Sequence, residues 1–222
     1  MADYPTRALK RMSFWKFLTI VLLLIQNGCD SSSALWNPSQ SRLQQQAPDS
    51  FSVVFETSAG DFQMILYRDW SPLAVDRIHY LSNHSFFSGS RFFRINPSVV
   101  QFGYSGQPAL DSIWRMLPIK DEPVISSNIR NTVSFARGGP DSRDFQLFIN
   151  IADNEQYDTC CDGGFPPVGK VVNGMEVVQS LNNEHGEEPV YDQDSIMLLG
   201  NEFLDRKYPR LDTIRQTRIG RF

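Results

Sequence analysis

The chain has 222 residues, a formal net charge of −4 and 41% hydrophobic residues, enough for one globular domain with a single large core plus tails. Its mild acidity excludes a nucleic-acid partner, because phosphate binding needs a concentrated basic face. Three cysteines and three histidines, with no CxxC and no zinc-like spacing, argue against a metal site or a disulfide framework, and no cofactor is implied.

At the N-terminus, Arg7, Lys10, Arg11 and Lys16 precede an apolar run from Phe17 to Ile25 that only Thr19 breaks; polar "QNGCDSSSA" follows. A basic start, a short apolar stretch and small residues after it read as a secretory signal peptide over residues 1–34. The run is short for a bilayer span, but it becomes a signal anchor if Phe14 and Trp15 are counted with it. A lipoprotein site at Cys29 is the lesser alternative, since Gln26 stands where such a site wants an aliphatic residue. The expected location is the secretory pathway, with the chain secreted or membrane-anchored outside the cytosol. Residues 35–49, "LWNPSQSRLQQQAPD", read as a polar linker. The domain is expected over 50–222, with a C-terminal extension from about 183.

Two β-rich runs flank Ala59-Gly60-Asp61 and predict a hairpin. "SPLAVDRIHYLSN" predicts a helix from Pro72 to about Ser82, with Ser71 at the cap and Pro72 in the first turn. Short strands are expected at Arg91–Ile95, Val99–Phe102, Thr132–Ala136, Gln146–Ile151 and Val168–Val172. A second helix follows Gly174. The acidic stretch 183–194 reads as a solvated loop, "SIMLLGNEFLDRKYP" as partly helical, and Leu211–Ile219 as a closing strand. About eight short strands with no βαβ rhythm point to a mainly β protein: a closed eight-stranded antiparallel barrel capped by two or more helices. Side chains fill the interior of such a barrel, so a site belongs on its outer wall or rim.

If Arg91–Ile95 and Val99–Phe102 pair around "NPS", alternation puts Phe92 and Arg94 on one face, and Gln101 shares it. Gln146 and Phe148 lie two apart on a later strand and share a face likewise. The blocks "FFR" and "VVQFG", then "FARGGPDSRDFQLFI", then "GFPPVGKVVNGMEVV" resemble the cyclophilin-type peptidyl-prolyl cis-trans isomerases over roughly Phe51 to Leu181. The tail resembles the extension of a divergent branch.

The resemblance implies rotation of Xaa-Pro bonds in proline-containing polypeptides, by a monomer that assists protein folding. By the same resemblance Arg94 and Gln101 match catalytic positions. Val99, Ala136, Arg137, Gln146, Phe148 and Phe165 match substrate-binding ones. There are departures. "NPSVVQFG" is one residue short, so Ser98 or Val99 stands where the family has a pocket phenylalanine. The family's usual tryptophan and histidine fall near Cys160 and Phe165. Arg137 replaces an asparagine. These losses imply a weaker or narrower isomerase with poor affinity for cyclosporin, a family ligand. They leave open a second reading, a non-catalytic proline-peptide-binding module with an eroded site whose leader contacts a membrane.

Overall fold

A computed structural model describes residues 30–220. The expected leader falls almost entirely on residues 1–29, outside the described residues. Eight strands form one antiparallel sheet: β1 (Ser50–Thr57), β2 (Asp61–Tyr67), β3 (Arg94–Ile95), β4 (Val99–Phe102), β5 (Thr132–Phe135), β6 (Leu147–Asn150), β7 (Pro167–Asn173) and β8 (Ile214–Gly220). Their order is β3-β4-β6-β5-β7-β2-β1-β8. Between the edge strands the contact is sparse. An isolated bridge joins Arg91 to Thr213, and backbone bonds run from Gly89 N to Ile214 O, from Ile214 N to Ser90 O and from Phe92 N to Asp212 O.

Period-two alternation decides what faces inward. Along β4, Val100 and Phe102 enter the core, whereas Val99 and Gln101 face the opposite side. Along β6, Leu147 and Ile149 enter the core and Phe148 does not. The interior is filled largely by phenylalanine. Phe55 stacks on Phe62 with ring centroids 4.9 Å apart, and Phe102 meets Phe55 and Phe92 edge-on at 5.6 and 5.4 Å, the offset and T-shaped geometries that aromatic quadrupoles favour.

One pairing inferred from alternation fails. Phe92 and Arg94 do not share a face: Phe92 is fully buried in the core, while Arg94 is half-buried outside it. The expected strand Arg91–Ile95 is interrupted. Arg91 and Phe92 bond to the segment before β8, and only Arg94 and Ile95 pair with β4. The change of partner resets the alternation.

Besides an irregular turn at Cys160–Gly163 and 3-10 turns at Glu155–Asp158 and Glu188–Asp192, the described residues form α1 (Asp30–Trp36), α2 (Gln40–Leu43), α3 (Pro72–Asn83), α4 (Pro108–Arg115), α5 (Met175–Ser180), α6 (Gln193–Leu199) and α7 (Asn201–Lys207). Ser71 holds the N-cap position of α3 without capping it; its hydroxyl donates to Glu122, whose carboxylate accepts the Leu73 and Ala74 amides instead. Those amides are among the orphan donors that every helix start presents. Where composition predicts a polar linker over 35–49, the chain is docked. Ala34, Leu35 and Ala47 are buried, Tyr80 Oη donates to the Ala34 carbonyl at 2.9 Å, and Trp114 Nε1 donates to the Leu35 carbonyl at 3.1 Å. A few apolar side chains and two carbonyls suffice to fix a segment whose average composition is polar. Among the described residues no helix is long and apolar enough to cross a membrane.

Candidate active site

The eight residues singled out from sequence, Arg94, Val99, Gln101, Ala136, Arg137, Gln146, Phe148 and Phe165, all line one cavity of about 330 Å³ on the outer face of the sheet. The register explains the convergence. Arg94 pairs with Gln101, and Gln101 with Phe148, so three strands place these side chains in one row. Gln146 stands two residues before Phe148, on the same face. The glycine of "VVQFG" permits a close approach: Gly103 has φ +140°, and a Cβ there would sit 2.5 Å from the Phe145 carbonyl oxygen and 2.6 Å from Gln146 Cα.

A directional chain of hydrogen bonds crosses the floor. Arg94 Nη1 donates to Gln101 Oε1 at 3.3 Å, and Gln101 Nε2 donates to Gln146 Oε1 at 2.9 Å. Gln146 Nε2 donates to Tyr104 Oη at 3.1 Å, and the Tyr104 hydroxyl donates to Gln193 Oε1 at 3.0 Å. Each amide uses its oxygen toward one neighbour and its nitrogen toward the next, which fixes every rotamer and strengthens the chain as a unit. Burial pushes the Tyr104 phenol up to about 12, so it stays a neutral donor. Asp144 secures the start of β6 by accepting the Phe145 amide at 2.5 Å, the Gln146 amide at 3.2 Å and Arg115 Nε at 2.8 Å.

The other side of the Arg94 guanidinium is held from the C-terminal extension. Glu187 Oε1 accepts from Arg94 Nε at 2.8 Å, from Nη2 at 2.5 Å and from Asn96 Nδ2 at 2.7 Å. The Asn96 and Arg94 donors hold the Glu187 carboxyl below the ordinary carboxylate range. Of the five N–H donors of an arginine, three are thereby committed and one remains on each terminal nitrogen. Val190 and Gln193 of the same extension also line the cavity. Sequence reasoning missed all three, because the stretch reads as solvated acidic loop.

The apolar wall is an aromatic trio. Phe148 meets Phe165 at 5.5 Å and Tyr157 at 5.9 Å, both edge-to-face, and Tyr157 meets Phe165 at 5.6 Å. Tyr157 had no signal in sequence beyond being an aromatic in an irregular stretch. Val99, only 2% exposed, lines the same cavity from β4. Arg137 contributes more than backbone. Its buried side chain pairs with Asp121 Oδ2 at 2.6 Å, lies 5.6 Å over the Phe165 ring and donates to the Cys161 carbonyl. Ala136 N is bonded to Gln146 O at 2.9 Å, which ties the Ala136–Arg137 segment to the site.

The arrangement offers an apolar slot, a fixed cation with two unspent donors, and side-chain amides beside exposed backbone. It has no nucleophile–base pair.

Residues 52–201 match the family model described as cyclophilin type peptidyl-prolyl cis-trans isomerase/CLD. The chain is 31% identical over 134 residues to a peptidyl-prolyl cis-trans isomerase of Acinetobacter baylyi, covering 59% of this chain and 71% of the relative. It is 33% identical over 144 residues to peptidyl-prolyl cis-trans isomerase A of Dickeya dadantii, covering 64% and 76%. A crystal structure of a Cryptosporidium parvum cyclophilin type peptidyl-prolyl cis-trans isomerase aligns with TM-score 0.57 at 18% identity, over 78% of this chain and 99% of that one. A second structure of that protein, in the presence of the dipeptide Ala-Pro, aligns with TM-score 0.56 at 18% identity, over 77% and 99%.

Proposed function

Because the chain belongs to the cyclophilin-type peptidyl-prolyl cis-trans isomerase family, we propose that it catalyses rotation about Xaa-Pro bonds of proline-containing polypeptides at the cavity around Arg94. The uncatalysed rotation costs ~20 kcal/mol because amide resonance is lost at the midpoint. There the prolyl nitrogen turns pyramidal and regains a lone pair. A donor aimed at that nitrogen binds the twisted state and has little to bind in the planar one, so it lowers the barrier. Arg94, anchored by Gln101 and Glu187, supplies such a donor from its two uncommitted N–H groups. The Phe148, Tyr157 and Phe165 rings hold the pyrrolidine. The Ala136–Arg137 backbone and Gln146 hold the preceding residues, so that one side of the bond turns against the other.

The observation that carries this reading is the clamped guanidinium beside an aromatic slot. The test is prolyl exchange in Xaa-Pro peptides followed by NMR with the wild type, Arg94→Lys and Arg94→Ala. Loss of roughly 100-fold or more in both variants is expected, since an ammonium does not reproduce the forked donor. Full activity in Arg94→Lys overturns the role. A wild type that shifts peptide resonances without accelerating exchange makes the chain a binding module.

Two further readings accompany this one. The sheet closes into a full barrel across its β3–β8 seam; the bonds between residues 89–92 and 212–214 support it, and fast hydrogen exchange at the Phe92 and Ile214 amides would refute it. Residues 1–34 direct the chain out of the cytosol, as secreted protein or membrane-anchored enzyme. The basic-then-apolar order of the segment supports this, and recovery of the full-length chain in a cytosolic fraction alone would refute it.

A further inference from the structure

We propose that Cys160 and Cys161 form a reversible oxidation site that controls the aromatic wall of the proline pocket. Thiophilic small molecules, low-molecular-weight disulfides first among them, are its reactants. The two sulfurs lie 3.0 Å apart, Cys161 is exposed and lines the cavity, and Cys160 is half-buried behind it. Two thiols already side by side form a dithiol, a different chemical object from two separate cysteines.

The dithiol sits in the short loop that joins two walls of the slot. Tyr157 and Phe165 are bonded across the base of this loop, Phe165 N to Tyr157 O at 2.8 Å, and Gly164 N donates to the Cys160 carbonyl at 2.7 Å. Within it four consecutive residues take positive φ: Cys161 at 57°, Asp162 at 58°, Gly163 at 118° and Gly164 at 75°. For Cys161 and Asp162 that conformation is uncommon and strained. The Cys161 carbonyl is also an acceptor for Arg137, whose guanidinium covers Phe165. Whatever moves Cys161 therefore moves Arg137 and the ring beneath it.

The chemistry balances with a low-molecular-weight disulfide as oxidant. The exposed Cys161 thiolate attacks one sulfur of the small disulfide; that S–S bond breaks, and the first small thiol departs with the proton that Cys161 released. Cys161 is exposed and Cys160 half-buried, and burial raises the Cys160 thiol, so Cys161 opens the exchange and Cys160 completes it. Cys160 then attacks Cys161 Sγ, the mixed disulfide breaks, and the second small thiol departs with the Cys160 proton. The protein loses two electrons and two protons; the small disulfide gains them. Closure requires the sulfurs to approach from contact to ~2.05 Å. Neighbouring Cα atoms are only ~3.8 Å apart, below the separation that ordinary disulfides span. Such a bridge is strained and readily reduced, which is the character of a regulatory bond.

The consequence for the pocket rests on the isomerase reading, whereas the existence of the bridge does not. The test uses the full chain carrying Cys29→Ser, treated with glutathione disulfide and then with dithiothreitol. Intact mass should fall by two hydrogens per chain, with both cysteines in one cross-linked peptide between Arg143 and Lys170. Affinity for an Xaa-Pro peptide should weaken about tenfold, the scale of one charge-assisted hydrogen bond. Dithiothreitol should restore both on the same sample, and Cys161→Ser should respond to neither reagent. Stable glutathione adducts or cross-linked dimers in place of the internal bridge overturn the site. An internal bridge with unchanged peptide affinity overturns its control of the pocket. A reduced chain that binds and isomerises no peptide defeats the isomerase reading, while the mass result still decides the bridge.

Discussion

A single carboxylate oxygen, Glu187 Oε1, accepts two hydrogen bonds from Arg94 across 93 residues of chain. The bonds fix the plane of the guanidinium and with it the direction of its two free donors. Glu187→Ala should lower kcat/KM about tenfold, because a misaligned donor loses transition-state binding first. Glu187→Gln, which retains an accepting oxygen, should lose less. The pH dependence has a defined sign. A carboxyl held below its ordinary value contributes fully above the unfolded pKa, and that contribution is lost as pH falls through the folded one. The wild-type kcat/KM should hold through mildly acid solution and drop below it, and Glu187→Gln should lack that drop. A wild-type profile with no acid limb would rule out the clamp.

Tyr157 supplies a wall to the slot through its ring. Tyr157→Ala should raise KM about tenfold with kcat little changed, as expected for removal of uniform apolar contact worth ~1.5 kcal/mol. Tyr157→Phe should behave as wild type. Initial-rate kinetics on one Xaa-Pro peptide separate the two parameters; a fall in kcat with unchanged KM would place Tyr157 in the chemistry instead.

Asp111 in α4 is fully buried, and its Oδ1 accepts the Ser105 amide at 2.8 Å. Burial raises its carboxyl from 3.8 to about 6, against the opposing pull of the Ser105 bonds. The native state then holds a proton that the unfolded chain has released, so stability falls as pH rises from about 4 through 6. The cost is roughly 3 kcal/mol at neutral pH. Urea unfolding at pH 4 and pH 7 should reveal this decline in the wild type and remove it in Asp111→Asn. Equal declines in both proteins would assign it elsewhere.

Cyclosporin should bind weakly. The resemblance puts the family's tryptophan and histidine near Cys160 and Phe165, and the rings lining the cavity are Phe148, Tyr157 and Phe165. Calorimetric titration should find no nanomolar complex; finding one would mean that the tryptophan is dispensable.

Arg94 beside Gln101 is legible because strand alternation is local; that Phe148 stands opposite Gln101 is not, and only the resemblance brings the two pairs to one site. Gln146 followed from a spacing of two. Glu187 was not legible. Its loop is acidic, acidic loops are usually solvated, and nothing within ten residues of it announces a contact with Arg94. Helix α4 was hidden likewise. "PALDSIWR" is short, and its burial depends on Trp114 meeting Tyr80 and the Leu35 carbonyl, partners distant in sequence. Composition hides the docking of segment 35–49 because it averages over the residues that anchor it. Alternation puts Phe92 on the wrong face because it presumes an unbroken strand, and the strand changes partner there.

The sheet joins its first strand to its last: β1 lies between β2 and β8, with Glu56 opposite Gln216. During synthesis β1 precedes β8 by more than 150 residues, and its outer edge waits until that stretch has followed it. Contacts this distant in sequence form slowly, and an unpaired edge invites other strands in the interval. The sheet thus cannot be completed until Ile214–Gly220 reaches β1, and a chain truncated before Ile214 should survive only while something else covers that edge.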